Sequence, residues 1–206
     1  MIREFIAHLF PRIVRAGDLR LRYTFCLGGL ALTSCLLSTL SGVLLLFYYR
    51  PDPAEAYASI LFLETHVVGG AYMRNLHRLT SDAFLVLVFL HTLRVLLTGA
   101  FRPPRQLNWV VGFCLLLVSI FEAYTGYLLP MDQLALWATQ TGMELVASVP
   151  LGGWVQRLLA PDGAGGALTL LRFYALHVVV VPGALLGLTF LHFYRIRRDR
   201  GLLPYL

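Results

Sequence analysis

Four long apolar runs dominate the chain, at roughly 24–48, 77–99, 109–130 and 169–194. Each exceeds the ~20 residues that a helix needs to cross a hydrocarbon core. A span in lipid must satisfy its own backbone hydrogen bonds, so all four predict helices and the fold class is all-α, an integral membrane four-helix bundle. The first connection, from "YYRPDPAEAYASI" on, is polar and marked by proline; the second, "FRPPRQLN", is short and basic. The third is the longest. Its stretches "MDQLALWATQTGMELVASV" and "GGWVQRLL" read as short surface helices ahead of the glycine-rich "PDGAGGA". Before the first run, Ile2, Phe5, Ile6, Leu9, Phe10 and Ile13 recur at helical spacing with Arg3, Arg12 and Arg15 among them, which predicts an amphipathic helix lying on the membrane surface. Pro11 would kink or end it. The start lacks a long apolar core and a small-residue cleavage site, so it does not read as a signal peptide. The pattern predicts one membrane domain over 1–206, with no soluble domain.

Composition agrees. The chain is 58 % hydrophobic and 14 % charged, against about 25 % charged in soluble domains. Its basic residues are all arginine, and the +6 formal charge is dispersed among the spans without an aromatic-basic tract, which argues against nucleic acid. Twelve arginines belong to the N-terminus, the second connection and the C-terminus, and five to the other side. An excess of positive charge stays inside, so both termini are expected on the cytoplasmic or stromal side. Cys26, Cys35 and Cys114 all lie in apolar segments, which argues against a disulfide scaffold.

Four of the six histidines fall within the spans. His77 and His91 are fourteen apart on the second; His177 and His192 are fifteen apart on the fourth. Fourteen α-helical steps rise about 21 Å and return nearly to the starting angle, whereas fifteen end about 60° away. The second and fourth spans run in the same direction, so His77 would face His177 near the outer side and His91 would face His192 near the inner side. Two bis-histidine sites suit two haems, a neutral imidazole nitrogen filling each axial position. A lone intramembrane histidine is often only a packing or proton-relay residue; two matched pairs are harder to obtain that way. Gly28 and Gly42 on the first span, and Gly112 and Gly126 on the third, repeat the fourteen-residue spacing. A porphyrin plate needs backbone to come close, and glycine leaves the room. Pro182, five residues after His177, predicts a kink whose freed carbonyl needs a neighbouring group.

The stretches "FCLGGLALT", "FYYRPDPAEAYASI", "RNLHRLTSDAFLVLVFLHTLRVLLTGAFRPPRQLNWVVG", "TGYLLPMDQ" and "TLLRFYALHVVVVP" resemble cytochrome b6, the short four-helix cytochrome b of bf-type complexes, across nearly the whole chain. The fourteen-then-fifteen spacing is similar to that branch. The resemblance implies that His77 and His177 ligate an outer, low-potential haem b and that His91 and His192 ligate an inner, high-potential one. It places Arg74, Arg78 and Arg94 near haem propionates, with snorkelling at an interface as the alternative for each. It implies a third haem attached through a single thioether at Cys26, in "FCLGG"; an inert buried thiol is the alternative. Cys35 and Cys114 are expected to be packing residues.

The same resemblance implies a subunit that carries electrons between outer quinol oxidation and inner quinone reduction, one electron of each quinol passing to an iron-sulfur protein and the other crossing the membrane. Gly126, Tyr127, Pro130, Met131 and Asp132 would form part of the outer quinol pocket. The family's P-E-W-Y motif, absent here, belongs to a companion chain. The implied partners are a subunit IV-like chain, a Rieske protein, a cytochrome c or f, quinone and the bilayer, in a dimeric complex. Met131 and Ala71 stand where the family usually has tryptophan, Glu122 replaces an apolar residue, and Asp82 is a second intramembrane acid. Two other readings use the same histidines. One is a dihaem anchor of a hydrogenase- or formate dehydrogenase-type complex; the other is a haem-free transporter or scaffold that handles protons.

Overall fold

The computed structural model describes residues 25–199. The surface helix expected on residues 2–13, five of the arginines used for orientation ahead of residue 25, and Arg200 lie outside the described residues. All regular elements described are helical: α1 (Leu27–Leu45), α2 (Ala56–His66), α3 (Gly70–Leu97), α4 (Gln106–Leu128), α5 (Gln133–Ala147), α6 (Gly152–Leu159), α7 (Ala167–Ala175), a π-helical turn (Leu176–Val180) and α8 (Val181–Arg198). Among the described residues, four helical stretches are long and apolar enough to cross a membrane: α1, α3, α4, and the run from α7 through α8. Only 11–17 % of each apolar window is buried, so most of these side chains need lipid rather than protein as their solvent.

The helix α3 begins seven residues ahead of the apolar run, because "GAYMRNL" is helical although not hydrophobic enough to mark a span. The helix α2 was not anticipated. It buries Ala56, Ser59 and Leu63, spaced three and four apart, and leaves Leu61 and Phe62 exposed. The Asp132 carboxylate starts α5 by accepting from Ala135 N at 2.8 Å. Asp162 starts α7 in a similar way, accepting from the Leu168 and Thr169 amides and from the Thr169 hydroxyl. That hydroxyl, followed by the two amides, holds the Asp162 carboxyl below its ordinary range.

The fourth span solves the problem posed by Pro182. Proline has no N–H to donate, and the turn before it is wound as a π-helix, with Val181 N–H bonded to the Leu176 carbonyl. A π-bulge takes one extra residue into a helix. The fifteen residues from His177 to His192 therefore turn like fourteen. With one extra residue in Leu176–Val180, their register matches that of His77 and His91.

The described chain divides into two compact units, and all four spanning stretches contribute to both. One comprises the segment up to Cys35 with Asp82–Ile120 and the segment from Gly183; the other comprises Leu36–Ser81 and Phe121–Pro182. The second unit contains a core of Leu128, Met143 and Phe173, packed against Tyr124, Leu129, Met131, Leu136 and Val146. Tyr49 stacks on Tyr174 at 5.6 Å and donates to the Leu129 carbonyl at 2.7 Å. Burial, with Tyr174 beside it, pushes the Tyr49 hydroxyl above its ordinary range and keeps it a neutral donor. The first unit has an aromatic run through Phe101, Trp109 and Phe113.

Candidate haem-binding site

Each compact unit contains one facing pair of histidines. In the unit holding Leu36–Ser81, the rings of His77 and His177 have centroids 6.2 Å apart with planes at 87°. In the other, His91 and His192 lie 6.4 Å apart at 81°. With metal–imidazole bonds of about 2.0 Å, two rings ligating one ion from opposite faces hold their centroids roughly 6 Å apart. Both pairs have that spacing.

Glycine sets the position of every ring. A Cβ at Gly42 would lie 3.0 Å from His77 Cε1, and one at Gly126 only 2.5 Å from His177 Cε1. At Gly28 the distance to His91 Cε1 is 3.3 Å, and at Gly112 the distance to His192 Cε1 is 3.2 Å. The four glycines chosen by spacing are thus the four backing the histidines. The room they leave is filled by the imidazoles themselves, whereas the sequence reading assigned it to the porphyrin plate. Gly29, next to Gly28 in sequence, has nothing within 4 Å of its added Cβ.

The ring nitrogens of His77 and His177 are also oriented. His77 Nδ1 donates to the Ser38 carbonyl at 2.9 Å, with Ser41 Oγ at 3.3 Å. His177 Nδ1 donates to the Glu122 carbonyl at 3.2 Å, with Thr125 Oγ1 at 3.3 Å. Each carbonyl belongs to the residue four before the backing glycine, and each hydroxyl to the residue just before it. His192 is directed at the backbone of Asn108, again four before its glycine, without reaching hydrogen-bonding geometry. A proton fixed on Nδ1 leaves the Nε2 lone pair for a metal. These acceptors were missed from sequence, although a signal existed: Thr24, Ser38, Asn108 and Glu122, four before the four glycines, are all polar within or beside apolar runs.

Among the described residues, no three of His, Cys, Asp and Glu converge as a metal set. A porphyrin supplies four equatorial nitrogens and asks the protein for only two axial ones. The donor set and its spacing therefore fit haem better than a bare ion.

Comparison with known proteins points the same way. The family model described as "Cytochrome b(N-terminal)/b6/petB" matches residues 82–205. The menaquinol:cytochrome c reductase cytochrome b subunit of Geobacillus thermodenitrificans is 40 % identical over 199 residues, 96 % of this chain and 89 % of that one. The chain belongs to the cytochrome b(N-terminal)/b6 family. Cytochrome b6 of Heliobacterium modesticaldum is 42 % identical over 174 residues, covering 84 % of this chain and 82 % of its own. A solved structure described as "Hyperthermophilic respiratory Complex III" superposes with a TM-score of 0.79 at 28 % identity over 88 % of this chain, which spans about half (49 %) of that longer one.

The other residues expected to serve this cytochrome b-type chain fall in different places. Arg74 pairs with Glu64, half-buried, and thus has a protein carboxylate as its partner. Arg78 is exposed, and Arg94 is half-buried one turn beyond His91. Cys26 is exposed at the start of α1, with a left-handed φ of 51° and its carbonyl accepting from Leu30 N. Cys35 and Cys114 are partly buried, and none of the three cysteines forms a disulfide. The expected quinol residues divide. Pro130 and Asp132 line a cavity of about 180 Å³ with Tyr57, Ile60, Leu61, Glu64 and Arg74. Gly126 is taken up by His177, Tyr127 is exposed, and Met131, at φ 54°, packs on the Leu128–Phe173 core. Glu122, the intramembrane acid one turn from Gly126, expected either to affect quinone or proton handling near the outer haem or to pair with an arginine of another subunit, has its Oε1 3.2 Å from His177 Nδ1.

Proposed function

We propose that this chain is the haem-carrying cytochrome b subunit of a quinol:cytochrome c- or plastocyanin-type oxidoreductase. The observation that carries the reading is the pair of facing imidazoles in each compact unit, every ring backed by glycine. His77 with His177 would hold an outer haem b, and His91 with His192 an inner one. Bound haem supplies a one-electron carrier that cycles between ferric and ferrous iron. The chain's own contribution is positional: glycine seats each ring, and the Ser38 and Glu122 carbonyls keep the outer ligands in the tautomer with Nε2 free. Fourteen α-helical steps between ligands rise about 21 Å, two-thirds of a hydrocarbon core. That spacing supports a path for electrons across the membrane, and the excess of arginine on the side of the termini supports placing both on the cytoplasmic or stromal side.

The cavity bounded by Pro130, Asp132, Glu64 and Arg74 would form one wall of the outer quinol site, where carboxylates can accept protons released on oxidation. Menaquinol is the donor named for the relatives in Geobacillus thermodenitrificans and Bacillus subtilis. The remaining wall would come from a subunit IV-like chain, and the electron acceptors would be a Rieske protein and a cytochrome c or f, in a dimeric complex. The exposed thiol of Cys26 supports a third haem bound through a thioether. Arg78 and Arg94 would stand near the propionates, where a guanidinium offsets a carboxylate.

The test is a pyridine haemochrome assay on the purified complex, with haem staining of this subunit on a denaturing gel. Two extractable b haems per chain are expected, plus a covalent stain that disappears in Cys26→Ala. Two b haems without stain would remove the third haem alone. No haem in an assembled complex would overturn the reading.

A further inference from the structure

The two outer ligands occupy nearly identical settings, with one difference. Each Nδ1 faces a backbone carbonyl four residues before its glycine and a hydroxyl one residue before it. Among the described residues, His177 and not His77 also faces a carboxyl group, with Glu122 Oε1 at 3.2 Å and both side chains 18 % exposed. Glu122 Oε2 is buried and has no hydrogen-bond partner. Of the four positions that precede a backing glycine by four residues, occupied by Thr24, Ser38, Asn108 and Glu122, only this one is acidic. The residues just before the inner glycines, Leu27 and Val111, have no hydroxyl either.

A carboxyl group on a membrane-spanning helix is costly and persists where something compensates it. Here the nearest compensation is the N–H of a histidine. A carboxylate on the second nitrogen of a ligating imidazole is a recurrent way to orient the ring and raise its basicity. We propose that Glu122 is a positioning residue for the outer haem, its Oε1 sharing the His177 Nδ1–H with the Glu122 carbonyl. This makes His177 the more electron-rich of the two outer ligands and favours the oxidised metal. Among the described residues no carboxyl group is placed against His91 or His192 in this way, so the substitution separates the two sites. The inference rests on the haem assignment above, and the readouts below distinguish failure of one from failure of the other.

The experiment is a redox titration of the two b-type bands in the intact complex, wild type against Glu122→Gln and Glu122→Leu, with haem content measured on the same samples. Gln keeps the volume and an acceptor oxygen; Leu removes both polar functions. Both variants are expected to retain two b haems and to shift one wave upward, leaving the other in place. At a fixed ambient potential, the ferric-to-ferrous ratio of the shifted haem should fall about tenfold, which for a one-electron couple is about 59 mV. The low-spin ferric resonance of that haem should change as well, since it reports ligand orientation. Two haems with both waves unmoved in Gln and Leu would overturn the role of Glu122 and leave the haem assignment standing. A shift in Leu but not in Gln would reduce Glu122 to a space-filling role and overturn the proposal. Wild type lacking b haem would overturn both.

Discussion

Replacing Gly126 by alanine puts a methyl carbon 2.5 Å from His177 Cε1, where carbon atoms ordinarily sit about 3.5–4.0 Å apart. The ring has to retreat by about 1 Å, away from the same helix that carries its acceptors. Its bonds to the Glu122 carbonyl and Thr125 hydroxyl, at 3.2 and 3.3 Å, have no slack to follow. Overpacking costs about 1–3 kcal/mol and the lost hydrogen bond about 1 kcal/mol. Together about 2–4 kcal/mol is a roughly 30- to 700-fold loss of affinity at the outer site. The pyridine haemochrome assay should show one b haem per chain against the two expected of the wild type, with the spectrum of the haem assigned to His91 and His192 preserved. The glycines should rank by clearance: Gly126 worst, then Gly42 at 3.0 Å, Gly112 at 3.2 Å and Gly28 at 3.3 Å. Gly29→Ala, with nothing within 4 Å, is the internal control and should keep both haems. Two full-occupancy haems in Gly126→Ala, or equal damage from Gly29→Ala, would refute the claim that these glycines seat the ligands.

Deleting Val179, a 66 % exposed residue within the π turn, together with Pro182→Ala, should let the helix run as continuous α while keeping both haems. Deleting Leu186, beyond the turn, rotates His192 by about 100° and should remove the inner haem; equal haem loss from both deletions would count against the π turn as the source of the register. The Asp162 carboxyl is held low, so its support for the first turn of α7 is present above the ordinary carboxylate range and lost as pH falls through its lowered value. Protection of the Leu168 and Thr169 amides, relative to their intrinsic exchange rates, should therefore fall in acid, and Asp162→Asn should flatten that pH dependence. Cys26→Ala should abolish covalent haem staining and leave the two extractable haems, since that residue belongs to neither histidine pair.

Sequence arithmetic located the four histidines and the four glycines because both depend on local rules. Apolar runs must be helices in lipid, and helical angles accumulate at a known rate per residue. The helices α5 and α6 were legible for the same reason, whereas α2 was hidden by its polar, proline-marked approach. The arithmetic failed where the backbone leaves the regular α form. Nothing in the spacing of His177 and His192 announces a π turn, although Pro182 marks the place where an α-helical donor is missing.

The partners of the side chains were a matter for tertiary structure. Which glycine backs which imidazole, that Ser38 and Glu122 offer carbonyls, and that Arg74 faces Glu64 depend on which helix faces stand opposite each other. Periodicity defines a face without naming its neighbour. The sequence by itself determined a membrane-spanning all-helical chain with paired imidazoles. Only the packed helices decided that an acid placed on an apolar span comes to rest beside one particular ligand, because a 3.2 Å contact between residues fifty-five apart requires both helices to be in place.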